Sequence, residues 1–194
     1  MSNLFQNLQL QAFRAGITPR TQESRTWFRR KAQQLRRVNR RELMREEEIE
    51  LRNRFMPGKM YMFFYDPKTK DKLPYYDGFP LVIPVERAEG GFYGLNIHYL
   101  PPVLRAKFLD GLMDITTNQK YDETTRFRVA YERLKSVRKL RFFKPCYKRY
   151  LSAHVKSRFA YVSPTEWEIA TFLPTADWRK SNAGNVYKDS RGMI

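Results

Sequence analysis

The chain has 194 residues, 42% hydrophobic and 15% aromatic, which is enough for one domain with a real core. It contains no run of 18 apolar residues for a membrane-spanning helix, and its single cysteine, Cys146, excludes an internal disulfide framework and reads as a core thiol. The opening MSNLFQNLQLQAFRAGITPR lacks the apolar stretch and cleavage site of a signal peptide, so synthesis in a cytosol is expected.

The net charge of +17 is confined to two segments. Residues 1–57 carry 13 basic side chains against 6 acidic ones and residues 120–160 carry 13 against 3, whereas 58–119 and 161–194 hold 7 and 4 of each sign. Such confinement points to a basic surface for a polyanion, nucleic acid being the commonest.

Taken in chain order, Ser24 can cap a long helix through about Phe55, because the stretch contains no Pro or Gly and is rich in helix formers. Phe28, Ala32, Leu35 and Val38 form its apolar stripe. Arg29, Arg30, Arg36, Arg37, Arg40 and Arg41 lie off that stripe, and Glu46, Glu47, Glu48 and Glu50 follow them. Met56-Pro57-Gly58 stops the helix. Three strands are then expected at Lys59–Tyr65, Phe79–Glu86 and Phe92–Leu100, with Glu89-Gly90-Gly91 closing a hairpin and Pro80 and Pro84 demanding a free edge or a bulge.

Pro102 opens a helix through about Met113. Asp122 can cap another, with Phe127, Tyr131, Leu134, Val137 and Leu140 inward. Pro145 starts a third with Tyr147, Leu151, Val155 and Phe159 inward. Ser163-Pro164-Thr165-Glu166 reads as a capping box ahead of Trp167, Ile169, Ala170 and Phe172, and Pro174 ends that helix before a polar tail. The expected architecture is α+β: a small antiparallel sheet of three to four strands packed by basic amphipathic helices. A long basic helical extension (1–57) precedes the core (58–174), and a C-terminal arm (175–194) follows it.

Motifs of common chemistry are absent. His98 and His154 lack metal-ligand neighbours at diagnostic spacing, His98 reading as a hydrogen-bonded structural residue, and there is no nucleophile elbow or phosphate-binding Gly-rich loop. No cofactor or metal is expected. The enzymatic alternative is a magnesium-dependent nuclease using Asp66, Asp71, Asp77 or Glu86, although Asp66-Pro67 and Tyr76-Asp77-Gly78 have turn-forming sequences in which aspartate bonds its own backbone.

Between Arg126 and Arg158 there are 12 Lys or Arg residues against one acid, Glu132, unlike a balanced solvated face. Lys135, Arg138, Lys139, Lys148 and Arg149 are the phosphate-contact candidates there, beside the arginines named above. Tyr75 and Tyr76 are the candidates for base stacking. An acidic protein neighbour would satisfy the same charges. A membrane surface is not expected, since the apolar faces of the basic helices are needed for the core.

The block MYMFFYDPKTKDKLPYYDGFPLVIPVERAEGGFYGLNIHYLPPVLRAKFLD, with TTNQKYDETTRFRVAYERL, FFKPCYKRYLSAHVKSRF and EWEIATFLPT after it, covers nearly the whole chain. It resembles a family of virion proteins from large contractile-tailed bacteriophages of the T-even-like and marine groups, labelled DNA end protector. The resemblance implies a non-enzymatic subunit of the virion, made in the host cytoplasm, at the head-tail connection or elsewhere in the tail. Its implied partners are other phage structural proteins in a symmetric multi-copy assembly and double-stranded DNA. A tail or baseplate subunit whose basic helices dock on acidic neighbours is the alternative.

Overall fold

A computed structural model describes residues 4–35, 38–46, 49–116, 132 and 141–194. The expected helix after Asp122 lies outside the described residues, as do Arg36, Arg37, Lys135, Arg138 and Lys139.

The chain opens with α1 (Leu4–Arg14), whose Phe5, Leu8 and Ala12 are buried at helical spacing. Gly16, at φ +69°, ends it, with the Ile17 and Gly16 amides donating back to the Ala12 and Phe13 carbonyls. Helix α2 (Gln22–Gln34) follows. Its cap is Thr21, not Ser24: the Thr21 hydroxyl accepts from the Ser24 amide, and the Ser24 hydroxyl receives the Thr21 amide in return.

The single helix expected through Phe55 breaks after Gln34. A four-residue helix α3 (Arg40–Leu43) is capped by Asn39, whose side-chain oxygen accepts from the Arg41 and Glu42 amides, and the chain then enters strand β1 (Leu51–Arg52). Burial is the reason. Val38, Leu43 and Met44 all turn into the core, and Leu51 pairs with Ala160, contacts one straight helix would not make; packing thus overrides propensity.

Six strands form one antiparallel sheet, β1-β7-β2-β4-β5-β6, comprising β2 (Met60–Met62), β4 (Leu81–Ala88), β5 (Gly91–Asn96), β6 (Tyr147–Leu151) and β7 (Phe159–Val162). The hairpin β4/β5 turns at Gly90, φ +67°, and the register shifts between Pro84 and Glu86 as the prolines require. The sheet exceeds the three to four strands expected because the segment after Pro145 is not a helix. Tyr147–Leu151 pairs along β5, a 3-10 turn (Ser152–His154) follows, and Phe159–Val162 fits between β1 and β2.

Each face of the sheet builds a separate core. On one, Met60, Met62, Leu81, Ile83, Val85, Leu95 and Val162 meet Phe5, Leu8, Phe28 and Ala32, together with Leu109 of α4 (Pro102–Thr116) and Ile169 of α5 (Trp167–Phe172). The other is aromatic: Tyr61, Phe63, Phe92, Tyr150 and Phe159 pack edge-on or stacked, and each such pair adds about 0.5–1.5 kcal/mol beyond area burial.

Only half of the expected capping box forms: the Glu166 carboxylate accepts the Ser163 amide and hydroxyl, but the Glu166 amide donates to the Ser163 carbonyl, not its hydroxyl, and the helix begins later, at Trp167 with Glu166 as its cap residue. Residues 175–194 contain β8 (Trp178–Arg179), paired with β3 (Tyr76–Asp77), and α6 (Ala183–Met193), whose Val186 is fully buried. Two buried polar residues tie the ends of the chain to the core. Glu168 on α5 accepts from the Ser24 hydroxyl at 2.6 Å and from the Arg20 amide at 3.1 Å. Arg105 on α4 donates to the carbonyls of Leu100, His98 and Thr171 and to the Tyr187 hydroxyl. No helix among the described residues is long and apolar enough to cross a membrane.

Candidate nucleic-acid interface

The β3/β8 ribbon forms one wall of a cleft of about 980 Å³, faced by the start of α3 and the segment after β2. Its polar lining comes from Asn39, Arg40, Arg41, Asp66, Tyr76, Lys156, Asp177 and Arg179.

A buried network fixes this wall. Asp77 is held by four donors: the amides of Phe79 at 3.0 Å and Asp177 at 2.9 Å on Oδ1, and Asn96 Nδ2 at 3.2 Å and His98 Nδ1 at 2.7 Å on Oδ2. Burial opposes the carboxylate's charge, yet His98 and the two amides prevail and hold Asp77 below the usual carboxylate range. Burial likewise lowers the pKa of His98 despite Asp77 beside it, so at neutral pH the ring is uncharged. With Nδ1–H donating to Asp77, Nε2 must accept, and the Thr175 hydroxyl donates to it at 3.1 Å. The Asp-His-Thr order is that of a hydrolase relay, but His98 and Thr175 are both 0% exposed. The network is structural, in keeping with the reading of His98 as a hydrogen-bonded residue.

Two cations complete the frame. Arg40 donates from Nε to the Thr175 carbonyl at 2.7 Å and from Nη2 to the Ala176 carbonyl, with Nη1 3.8 Å from the Asp177 carboxylate. Arg40 therefore braces the wall, although it lies off the apolar stripe of the sequence. Lys180, at φ +64°, points its ammonium at the carbonyls of Lys70, Asp71 and Leu73, at 2.7, 3.0 and 3.3 Å, and so gathers the loop joining β2 to β3.

Within the cleft the carboxylates are already engaged. Asp66 pairs with Lys70 at 3.0 Å, and Asp177 with Arg179 at 2.7 Å. Arg41 and Lys156, both exposed, have no side-chain partner among the described residues. These two are the cleft's available positive charges.

The remaining candidates scatter. Arg29 is half-buried and Arg30 exposed on α2. Lys148 and Arg149 stand on strand β6, not on a basic helix. Lys148 caps the Tyr99 ring at 4.2 Å, with burial lowering its pKa, while Arg149 donates to the Glu89 carbonyl at 2.9 Å. The tyrosine pair is split as well: Tyr75 packs against Tyr99 and Trp178, whereas the Tyr76 ring lines the cleft and meets no other ring among the described residues.

Three of the four carboxylates considered for a magnesium site are engaged by other groups. Asp77 has its four lone-pair positions filled, Asp66 holds Lys70, and Glu86 accepts from the Tyr147 hydroxyl at 2.8 Å. Among the described residues no group of three or more His, Cys, Asp or Glu is placed to hold a metal ion. Sequence reasoning missed Lys156 and Arg179. The first lay within the basic stretch without being singled out, and the second sat in the Trp178-Arg179-Lys180 triplet of the supposed arm.

The model of the family Phage T4 terminal DNA protecting protein matches residues 5–190. The chain belongs to that family. Membership of the terminal DNA protecting proteins agrees with the resemblance seen in the sequence, and the match reaches from within α1 to within α6. Nothing among curated proteins or solved structures matches the chain.

Proposed function

We propose that this protein binds the ends of phage DNA and shields them from exonucleases, acting as a structural component of the virion without catalysing a reaction. The observation that carries this is the pair Arg41 and Lys156: exposed cations, without a side-chain partner among the described residues, on a cleft whose carboxylates are both neutralised from within. Arg29 and Arg30 of α2, and from their charge alone Arg36, Arg37, Lys135, Arg138 and Lys139, are further candidates for contact with phosphates. Contact with phosphates is electrostatic and blind to sequence.

A place at the head-tail connection suits such a protein. Contact with neighbouring virion proteins is supported by α1, where Phe13 is 79% and Leu10 47% exposed one turn apart. Docking of the basic surface on acidic neighbours alone is the competing outcome of the test.

The test is digestion of linear DNA by a processive exonuclease with and without the protein. Wild type should protect the ends, and the double reversal Arg41→Glu/Lys156→Glu should lose most of that protection at unchanged thermal stability. Equal protection by the reversed variant would remove the cleft from the interface. Failure of the wild type to bind linear DNA in preference to a closed circle would remove the function.

A further inference from the structure

We infer that the cleft takes the unpaired terminal nucleotides of a DNA strand, as a frayed end or a short overhang, and not the flush face of the duplex. The inference rests on the DNA-end reading above and names the part of the end that this site recognises.

Size is the first argument. At about 980 Å³ the cleft lies near the top of the range of roughly 300–1,000 Å³ typical of small-ligand sites. A B-form duplex, whose major groove alone is about 12 Å wide, is too broad to enter such a space. One or two nucleotides fit.

The lining supplies the second argument. Tyr76 offers a half-buried ring that no other ring covers among the described residues, while its sequence neighbour Tyr75 is used up in packing. A base separated from its partner exposes both faces and can stack on such a ring, whereas a base inside the duplex cannot.

Charge is the third. Arg41 and Lys156, without side-chain partners among the described residues, supply two positive charges on the lining, a match for the phosphates of one or two nucleotides of a single strand.

The experiment compares three fluorescent probes of one sequence: blunt linear duplex, the same duplex with a short single-stranded overhang, and a closed circle. The overhang duplex should bind the wild type roughly tenfold more tightly than the blunt one, the size of effect one stacked base provides. Tyr76→Leu, which keeps apolar bulk without a ring, should bring the ratio of the two affinities close to one, and Tyr76→Phe should keep it. Equal affinities for blunt and overhang duplexes on the wild type would overturn the inference while leaving the DNA-end reading intact. Equal affinities for linear and circular DNA would instead overturn that reading.

Discussion

Four accepted hydrogen bonds fill the lone pairs of Asp77, and the price of leaving any of those donors unmet in the core sets how the site responds to mutation and to acid. Asp77→Asn keeps one acceptor oxygen for the Phe79 and Asp177 amides but turns an NH2 group on the Asn96 Nδ2 and His98 Nδ1–H donors. It should cost about 1–3 kcal/mol, read from the midpoint of denaturant unfolding. The pH dependence has one sign. His98 has a lowered pKa in the fold, so below its unfolded value near 6.5 the unfolded chain takes up a proton the folded chain does not, and stability falls as the pH drops. The slope cannot exceed about 1.4 kcal/mol per pH unit for this one proton. Asp77, also lowered, extends the loss at more acid pH, as the unfolded carboxylate protonates near 3.9. A folding midpoint independent of pH between 7 and 5 would contradict the neutral, buried assignment of His98.

At the scale of elements, the close approach of β5 to β6 gives a sharp comparison between two glycines. A Cβ on Gly91 would sit 1.9 Å from the Tyr150 carbonyl oxygen, which is backbone and cannot rotate away, whereas a Cβ on Gly192 in α6 would meet nothing within 4 Å. Gly91→Ala should therefore destabilise the fold by at least ~2 kcal/mol. Gly192→Ala should be neutral or stabilising, by up to ~1 kcal/mol, because alanine favours the helix. Thermal unfolding of the two variants side by side checks both. The same pair of strands explains what the sequence concealed. Strands β4 and β5 were legible because Gly90 and the flanking alternation mark a hairpin, and α5 because Glu166 lies three residues after Ser163. Strand β6 was not: Tyr147 and Leu151 are four apart, a helical spacing that a five-residue strand also allows when both residues point to one face. Only the open edge of β5, a long-range partner, decides between the two. The break after Gln34 was hidden for a similar reason, since Asn39 is a cap only if something ends the preceding helix.

Over the whole molecule, charge placement matters more than charge total. Arg41 was selected from sequence and lines the cleft, yet Arg40 beside it serves the wall, so the two cannot be reversed together without confusing binding with folding. Arg41→Glu/Lys156→Glu should reduce the slope of log affinity against log salt on an overhang duplex by about 1.4, the share of two phosphates on a single strand, with the thermal midpoint unmoved. Arg40→Glu should lower that midpoint. An unchanged salt slope in the double variant would place the DNA elsewhere on the surface. The family was readable in the sequence because its motifs run almost the full length of the chain; the cleft was not, because its lining is gathered from segments as far apart as Val38 and Arg179.

That gathering has a consequence for the order in which the molecule is made. Thr175 completes the His98 network, Trp178 and Arg179 pair with β3, Lys180 collects the loop before Tyr76, and Tyr187 takes the last donor of Arg105. Every one of these contacts joins a segment near the end of the chain to one translated much earlier. A growing polypeptide on the ribosome can pair β4 with β5 long before it can form the cleft. The cleft thus matures only after the core strands have been synthesised, so a half-made chain would lack the site proposed to hold a DNA end.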